Sequence, residues 1–190
     1  MTTTVQDATL ASFIEELGDL VDRHYDEHEL VEVVAGRLRA ALSAGIDLPP
    51  SVTKPGEERY VMYPLHVDPE GRFSIASAVW NVGQGTPVHG HETWGVVGIH
   101  SGVEHERSFT KPATPGTPLV QDGEESWSAG QVTVCCTTDD DVHQVECEGD
   151  VPCVGIHVYG ADIGTLPRRS YLPDTGEVSW FTSTWTAPAG

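Results

Sequence analysis

Positive charge is what this chain has least of: ten lysines and arginines stand against 29 aspartates and glutamates, a net charge of -19 over 190 residues. Such a surface repels phosphate backbones and anionic headgroups, so nucleic-acid binding and attachment to a membrane surface are not expected. Long apolar runs are missing as well. No stretch approaches the roughly 18 residues of a membrane span, and residues 1–7 have neither the basic nor the apolar region of a signal peptide. The expectation is a cytoplasmic protein. Cysteine is scarce: Cys135, Cys136, Cys147 and Cys153 are too few and too clustered for a disulfide framework. No Cys-x-x-Cys pair suggests a thiolate zinc site. Adjacent on a strand, Cys135 and Cys136 are expected to face opposite sides of it, and all four read as small buried hydrophobes. The length suits a single domain, residues 1–190, with a core of its own.

What is present falls into two textures. Residues 8–24 carry Leu10, Phe13, Ile14, Leu17, Leu20 and Val21 at the spacing of one apolar helix face. A second helix is predicted over 27–43, with Leu30, Val31, Val34, Leu38, Ala41 and Leu42 as its stripe. His24 and His28 fall at the ends of these helices and read as solvated or capping residues. Pro49 and Pro50 stop the helical pair, which occupies residues 1–48. From Tyr60 the chain changes to short alternating segments divided by Gly, Pro and Asp. Strands are predicted at 60–67, 72–82, around residue 90, and at 94–99, 103–109, 119–121, 131–137, 142–147 and 153–159, with a Pro/Gly-rich loop at 111–118. The fold class is therefore mostly β, a small barrel or jelly roll over residues 60–185 behind a helical pair.

Chemistry concentrates in three places. His89 and His91 stand two apart, so on a strand they project side by side. Two converging imidazoles begin a metal site for Fe, Zn, Cu or Ni; alternatively they flank a turn at a sheet end. His157 and Tyr159 repeat the same spacing, either as a working pair or as barrel-lining residues that satisfy each other. Arg168 and Arg169 put two of the ten basic residues side by side. They suit a bidentate grip on a carboxylate, or a surface ion pair with this acidic chain. His66, His100 and His105 belong to no motif and read as structural or exposed. Trp80 and Trp94 read as core.

Gly83, His89, His91 and Gly102 resemble the first motif of the cupin family, in which a Glu follows the His-x-His pair. Here Gly95 takes the place of that Glu, or Val96 under a looser spacing, and Glu92 is displaced from it. His143, in Asp141-Val-His143, resembles the single histidine of the second motif. Three histidines without the Glu look like the thiol dioxygenases, cysteine dioxygenase and its bacterial relative 3-mercaptopropionate dioxygenase. The resemblance covers about residues 60–185, including the tail from Gly176 to Trp185 as a closing strand. It implies a double-stranded β-helix in which His89, His91 and His143 hold Fe(II). Three neutral imidazoles leave the metal charge uncompensated, which favours a thiolate as incoming ligand. The family carries a Ser-x-His-x-Tyr relay after the second motif. His157 and Tyr159 match it, and Gly155 stands where the Ser belongs.

For substrate, the resemblance offers two anchors. The 3-mercaptopropionate enzyme takes an Arg a few residues beyond the Tyr, which Arg168 matches. Tyr63 occupies the place of the carboxylate-binding Arg of cysteine dioxygenase, and Val96 the place of the cysteine that crosslinks to Tyr in animal enzymes. The expected activity is O2-dependent conversion of a small thiol, 3-mercaptopropionate or a related carboxylated thiol, to its sulfinate. The alternatives are a metal-dependent cupin acting on a non-thiol as oxygenase or isomerase, and a non-catalytic cupin that binds a metal or small ligand.

Overall fold

The computed structural model describes residues 5–23, 25–111, 114 and 116–188, with side chains from Leu10 onward. His24 and three residues of the predicted 111–118 loop lie outside the described residues. Two helices come first, α1 (Val5–Val21) and α2 (Glu27–Ser43). The side chain of Asp26 caps α2 by accepting from the backbone N of His28 at 3.1 Å, which satisfies one of the orphan donors of the first turn. Gly45, at a φ of 88°, lets the chain leave the helix in the left-handed region. No helix among the described residues is long and apolar enough to cross a membrane.

Eleven strands follow: β1 (Val61–Val67), β2 (Ser74–Trp80), β3 (Val88–His89), β4 (Gly95–Ser101), β5 (Val103–Thr110), β6 (Val120–Ser128), β7 (Val132–Cys136), β8 (His143–Glu148), β9 (Cys153–Tyr159), β10 (Arg168–Leu172) and β11 (Glu177–Phe181). They form a five-stranded sheet in the order β1-β2-β9-β4-β7 and a six-stranded sheet in the order β11-β10-β3-β8-β5-β6. Within β2–β9 the first strand pairs with the last, β3 with β8, β4 with β7 and β5 with β6, all antiparallel. That is one long hairpin rolled up on itself. The pairs β4·β9 and β5·β8 close the roll. The arrangement is a jelly roll, or double-stranded β-helix.

The helices cover the outside of the five-stranded sheet. Alternation along β9 sends Val154, Ile156 and Val158 into the cluster that holds Phe13, Leu17, Val34 and Leu38, and sends Cys153 and Tyr159 to the inside. Both faces of β2 and β9 are thus buried, which is why their sequences show little polar alternation. Burial of Leu38, which has no exposed surface, contributes roughly 1.5–3 kcal/mol. α2 presses closely on the sheet because β4 carries Gly98 at the contact; a Cβ there would crowd Leu38 and Leu42.

Three expectations are corrected. Tyr63 packs on the helix side, where its hydroxyl donates to Lys54 O at 2.8 Å; Met62, one residue earlier, faces inward. The period of two leaves no choice once Met62 is inside. Cys135 and Cys136 do not point apart. A register shift between Gly95 and Val96 bulges β7 at Cys135 and brings the two Sγ atoms to 3.5 Å, as an extra residue in a ladder allows. β6 runs to Ser128, well past the predicted 119–121, as an exposed polar edge strand.

Candidate metal centre and its cavity

His89 and His143 face each other directly across the β3·β8 ladder, the closest placement two strands offer. His91 lies just beyond β3, where the chain bends. Asp141 makes that bend: its Oδ2 accepts from the backbone N of both His91 and Glu92 at 2.9 Å, while Lys111 Nζ reaches its Oδ1 at 2.9 Å. Gly90 is required there, because a Cβ would run into the Asp141 carboxylate. Glu92 itself takes a positive φ of 57°. The three rings come together with centroid separations of 4.8, 4.9 and 4.8 Å, and one ligand atom of each lies within 4.8 Å of the others.

The ring nitrogens turned away from this centre orient two of the three. His89 Nδ1 is 3.0 Å from Pro87 O, and His143 Nδ1 is 2.5 Å from Glu106 Oε1. Such outer contacts set the tautomer that leaves Nε2 free as a ligand. Glu106 is in turn held by Trp127 Nε1 at 3.0 Å. Burial pushes the Glu106 carboxyl up, but the hydrogen bonds from His143 and Trp127 outweigh it and hold the group below its ordinary value. Burial, and then the neighbouring His143, drive His89 and His91 well below the usual imidazole range. Neutral, buried imidazoles with converging free nitrogens fit a divalent transition metal. His91 Nδ1 has no hydrogen-bond partner among the described residues. The Cys135 and Cys136 thiols form a second group with His91 whose ligand atoms lie within 4.8 Å of one another.

Gly95, where the cupin motif would have its Glu, sits against both thiols and the Tyr159 ring. A side chain there has no room, so the centre carries no carboxylate ligand. The histidines line a small cavity of about 20 Å³ between the sheets, together with Trp80, His157, Tyr159, Met62 and Arg168. His157 Nδ1 is 2.9 Å from the Tyr159 hydroxyl. Burial raises the Tyr159 phenol well above its ordinary value, with the Cys135 thiol adding to the effect and Arg168 opposing it. The phenol is thus a hydrogen-bonding group and not an anion.

The two arginines separate. On β10, Arg169 turns outward and binds Glu92 through both carboxylate oxygens at 2.6 and 2.7 Å. Arg168 turns inward and is 2% exposed. It donates to Ser183 Oγ and lies over the Phe181 ring at 4.6 Å. Its Nε has no partner, and no carboxylate pairs with it among the described residues. A guanidinium in that state lacks the anion that would offset its desolvation. Tyr63 and the remaining motif-free histidines, His66, His100 and His105, do not reach the cavity. Sequence reasoning missed Glu106, Glu104 and the anchoring role of Asp141. Only Asp141, inside the quoted second motif, carried a local signal.

No family model matches the chain. Among solved structures it is similar to a cupin 2 conserved barrel domain protein from Salinispora arenicola, at 17% identity over 61% of this chain and 87% of the other, with a TM-score of 0.43. It is also similar to a conserved protein with a double-stranded β-helix domain from Klebsiella pneumoniae, at 11% identity, 73% and 93% coverage and a TM-score of 0.45. A cupin superfamily protein from Desulfitobacterium hafniense gives 12% identity, 60% and 90% coverage and a TM-score of 0.44. These likenesses are too distant to bear on activity, and the double-stranded β-helix is assigned from the strand pairing.

Proposed function

We propose that the protein is an Fe(II)-dependent thiol dioxygenase acting on a small thiol that carries a carboxylate, such as 3-mercaptopropionate. The observation that carries this reading is the pairing, in one small cavity, of a three-histidine cluster with a buried guanidinium that has no carboxylate partner among the described residues. Fe(II) held by His89, His91 and His143 supplies the redox chemistry that joins a thiolate to O2. Atoms balance without a further reductant: thiolate plus O2 gives the sulfinate, both oxygens ending on sulfur.

The chain's own residues select and place the substrate. Arg168 receives the carboxylate with planar, paired donors, which sets the far end of the molecule and leaves the sulfur near the imidazoles. The cavity of about 20 Å³ is far smaller than ordinary ligand sites, which favours the smallest thiols. Trp80, Met62 and Val145 keep its wall dry. Tyr159, held by His157, presents a neutral hydroxyl beside the histidines. Outside the cavity, a groove lined by Arg59, Phe181 and Ser183 shares Tyr60 and Met62 with it. On a surface of net charge -19, Arg59 there gives an anion a favourable approach.

The test is oxygen uptake by anaerobically Fe(II)-loaded protein with 3-mercaptopropionate, cysteine, homocysteine and cysteamine offered separately, and sulfinate measured by mass. One O2 per sulfinate, with the carboxylated thiols preferred over cysteamine, is expected. No uptake with any thiol by loaded protein would sink the reading and leave a metal-dependent jelly roll acting on a non-thiol.

A further inference from the structure

Gly155 stands where the resemblance calls for a serine hydroxyl beyond His157. That place is filled from the other sheet. Glu104 of β5, 3% exposed, puts Oε1 at 3.6 Å from His157 Nε2. Both atoms are buried and neither has a hydrogen-bond partner among the described residues. A Cβ at residue 155 would run into both of them, so glycine is what lets this carboxylate approach the imidazole. His157 is the only ion-pair partner of Glu104 among the described residues. The 3.6 Å separation exceeds a hydrogen bond, but two facing buried polar atoms without other partners are what a small side-chain rotation joins. On the far side of the ring, Nδ1 meets the Tyr159 hydroxyl.

We propose that Glu104 is a positioning residue: its carboxylate accepts from His157 Nε2–H, so Nδ1 accepts the Tyr159 hydrogen and the Tyr159 oxygen turns its lone pairs to the cavity. A serine hydroxyl can donate or accept, whereas a carboxylate only accepts. The exchange of Ser for a distant Glu therefore removes the choice of tautomer. The consequence for catalysis rests on the thiol-oxidising reading above. A thiol entering beside Tyr159 meets an acceptor and donates its S–H hydrogen there. As the thiolate forms, that proton goes to the Tyr159 oxygen, the Tyr159 proton to Nδ1, and the Nε2 proton to Glu104. One proton leaves the cavity and His157 ends neutral.

The test reads the tautomer directly, by nitrogen-correlated proton NMR of isotope-labelled histidine in the metal-free protein. Wild type is expected to show His157 as Nε2–H, and Glu104→Ala to flip it to Nδ1–H. Glu104→Gln keeps the wild-type tautomer, because its amide oxygen still accepts. A bare Nε2 in wild type, or the same tautomer in wild type and Glu104→Ala, overturns the proposal. The spectrum needs neither thiol nor metal, so failure of thiol oxidation leaves it intact. In the thiol assay, Glu104→Ala lowers kcat about tenfold at unchanged KM; an unchanged kcat in Glu104→Ala would count against the relay while sparing the thiol reading.

Discussion

The two faces of the five-stranded sheet are built from alternate residues of the same strands, yet they serve opposite ends. The outer face presents Ile75, Val79, Val96, Val154, Ile156 and Val158 to the helices. Ser77, buried there, donates to Val52 O at 2.6 Å. The inner face, with the sheet opposite, holds five of the seven buried side-chain atoms without a hydrogen-bond partner among the described residues, Trp80 Nε1, His91 Nδ1, Glu104 Oε1, His157 Nε2 and Arg168 Nε; His100 Nδ1 and the Tyr171 hydroxyl are the other two. Orphans of this kind are few in folded proteins and each costs stability. Their concentration around one cavity marks where stability has been given up for chemistry.

Substitutions should therefore separate the faces. The largest effect is expected from His143→Ala, which removes one of three converging imidazoles: metal content and sulfinate formation fall more than about 100-fold, while the metal-free protein still folds, its melting temperature lowered by loss of the contact with Glu106. Metal analysis beside calorimetry checks both halves. On the outer face, Leu38→Ala should do the reverse, costing about 2–5 kcal/mol of stability by urea unfolding with metal affinity retained. A third variant sharpens the contrast within the cavity. Arg168→Leu should raise KM for 3-mercaptopropionate by at least about 30-fold, corresponding to roughly 2 kcal/mol, leave cysteamine unaffected, and raise the melting temperature because an uncompensated buried charge is gone. A lowered melting temperature would mean that the contact with Ser183 or Phe181 outweighs the desolvation.

The smallest effect concerns the polar clamp at the edge of the helix-covered face. Asp68, in the turn after β1, receives Arg72 Nε at 3.0 Å and an Arg72 terminal nitrogen at 2.7 Å, and Arg72 also reaches Asp22 beyond α1 at 2.6 Å. The hydrogen bond from Arg72 is the main cause that holds the Asp68 carboxyl down at about 2 against an ordinary 3.8, with burial opposing it. A depressed folded value means that the stabilisation is fully present above pH ~4–5 and is lost as pH falls toward ~2. It amounts to about 2 kcal/mol. Unfolding of wild type and Asp68→Asn compared at neutral pH and near pH ~2 should show the difference between them closing on acidification.

The corrected residues show where local pattern runs out. Tyr63 matches a substrate arginine by position alone, and the alternation of β1 puts it beside the helices once Met62 points in. The cysteine pair broke the same alternation because a bulge added a residue to β7, and a bulge has no dependable local signature. β6 is legible only in small part and β10 not at all, because Glu124, Glu125, Arg168, Arg169 and their neighbours carry no apolar period. Their ladders with β5, β3 and β11 hold them instead.

By itself the sequence determined the helical pair, the succession of alternating strands that follows it, the His89/His91 and His157/Tyr159 pairs, and His143 as their partner by motif. Each of these rests on spacing along the chain, which 3.6-residue and two-residue periods make legible. Only the tertiary structure decided that Arg168 and not Arg169 enters the cavity, that Glu106 and Asp141 aim His143 and His91, and that Glu104 comes to stand beside Gly155. Those partners lie on strands brought together by rolling up one long hairpin, so their distances are set by pairing between remote segments and leave no trace in local order.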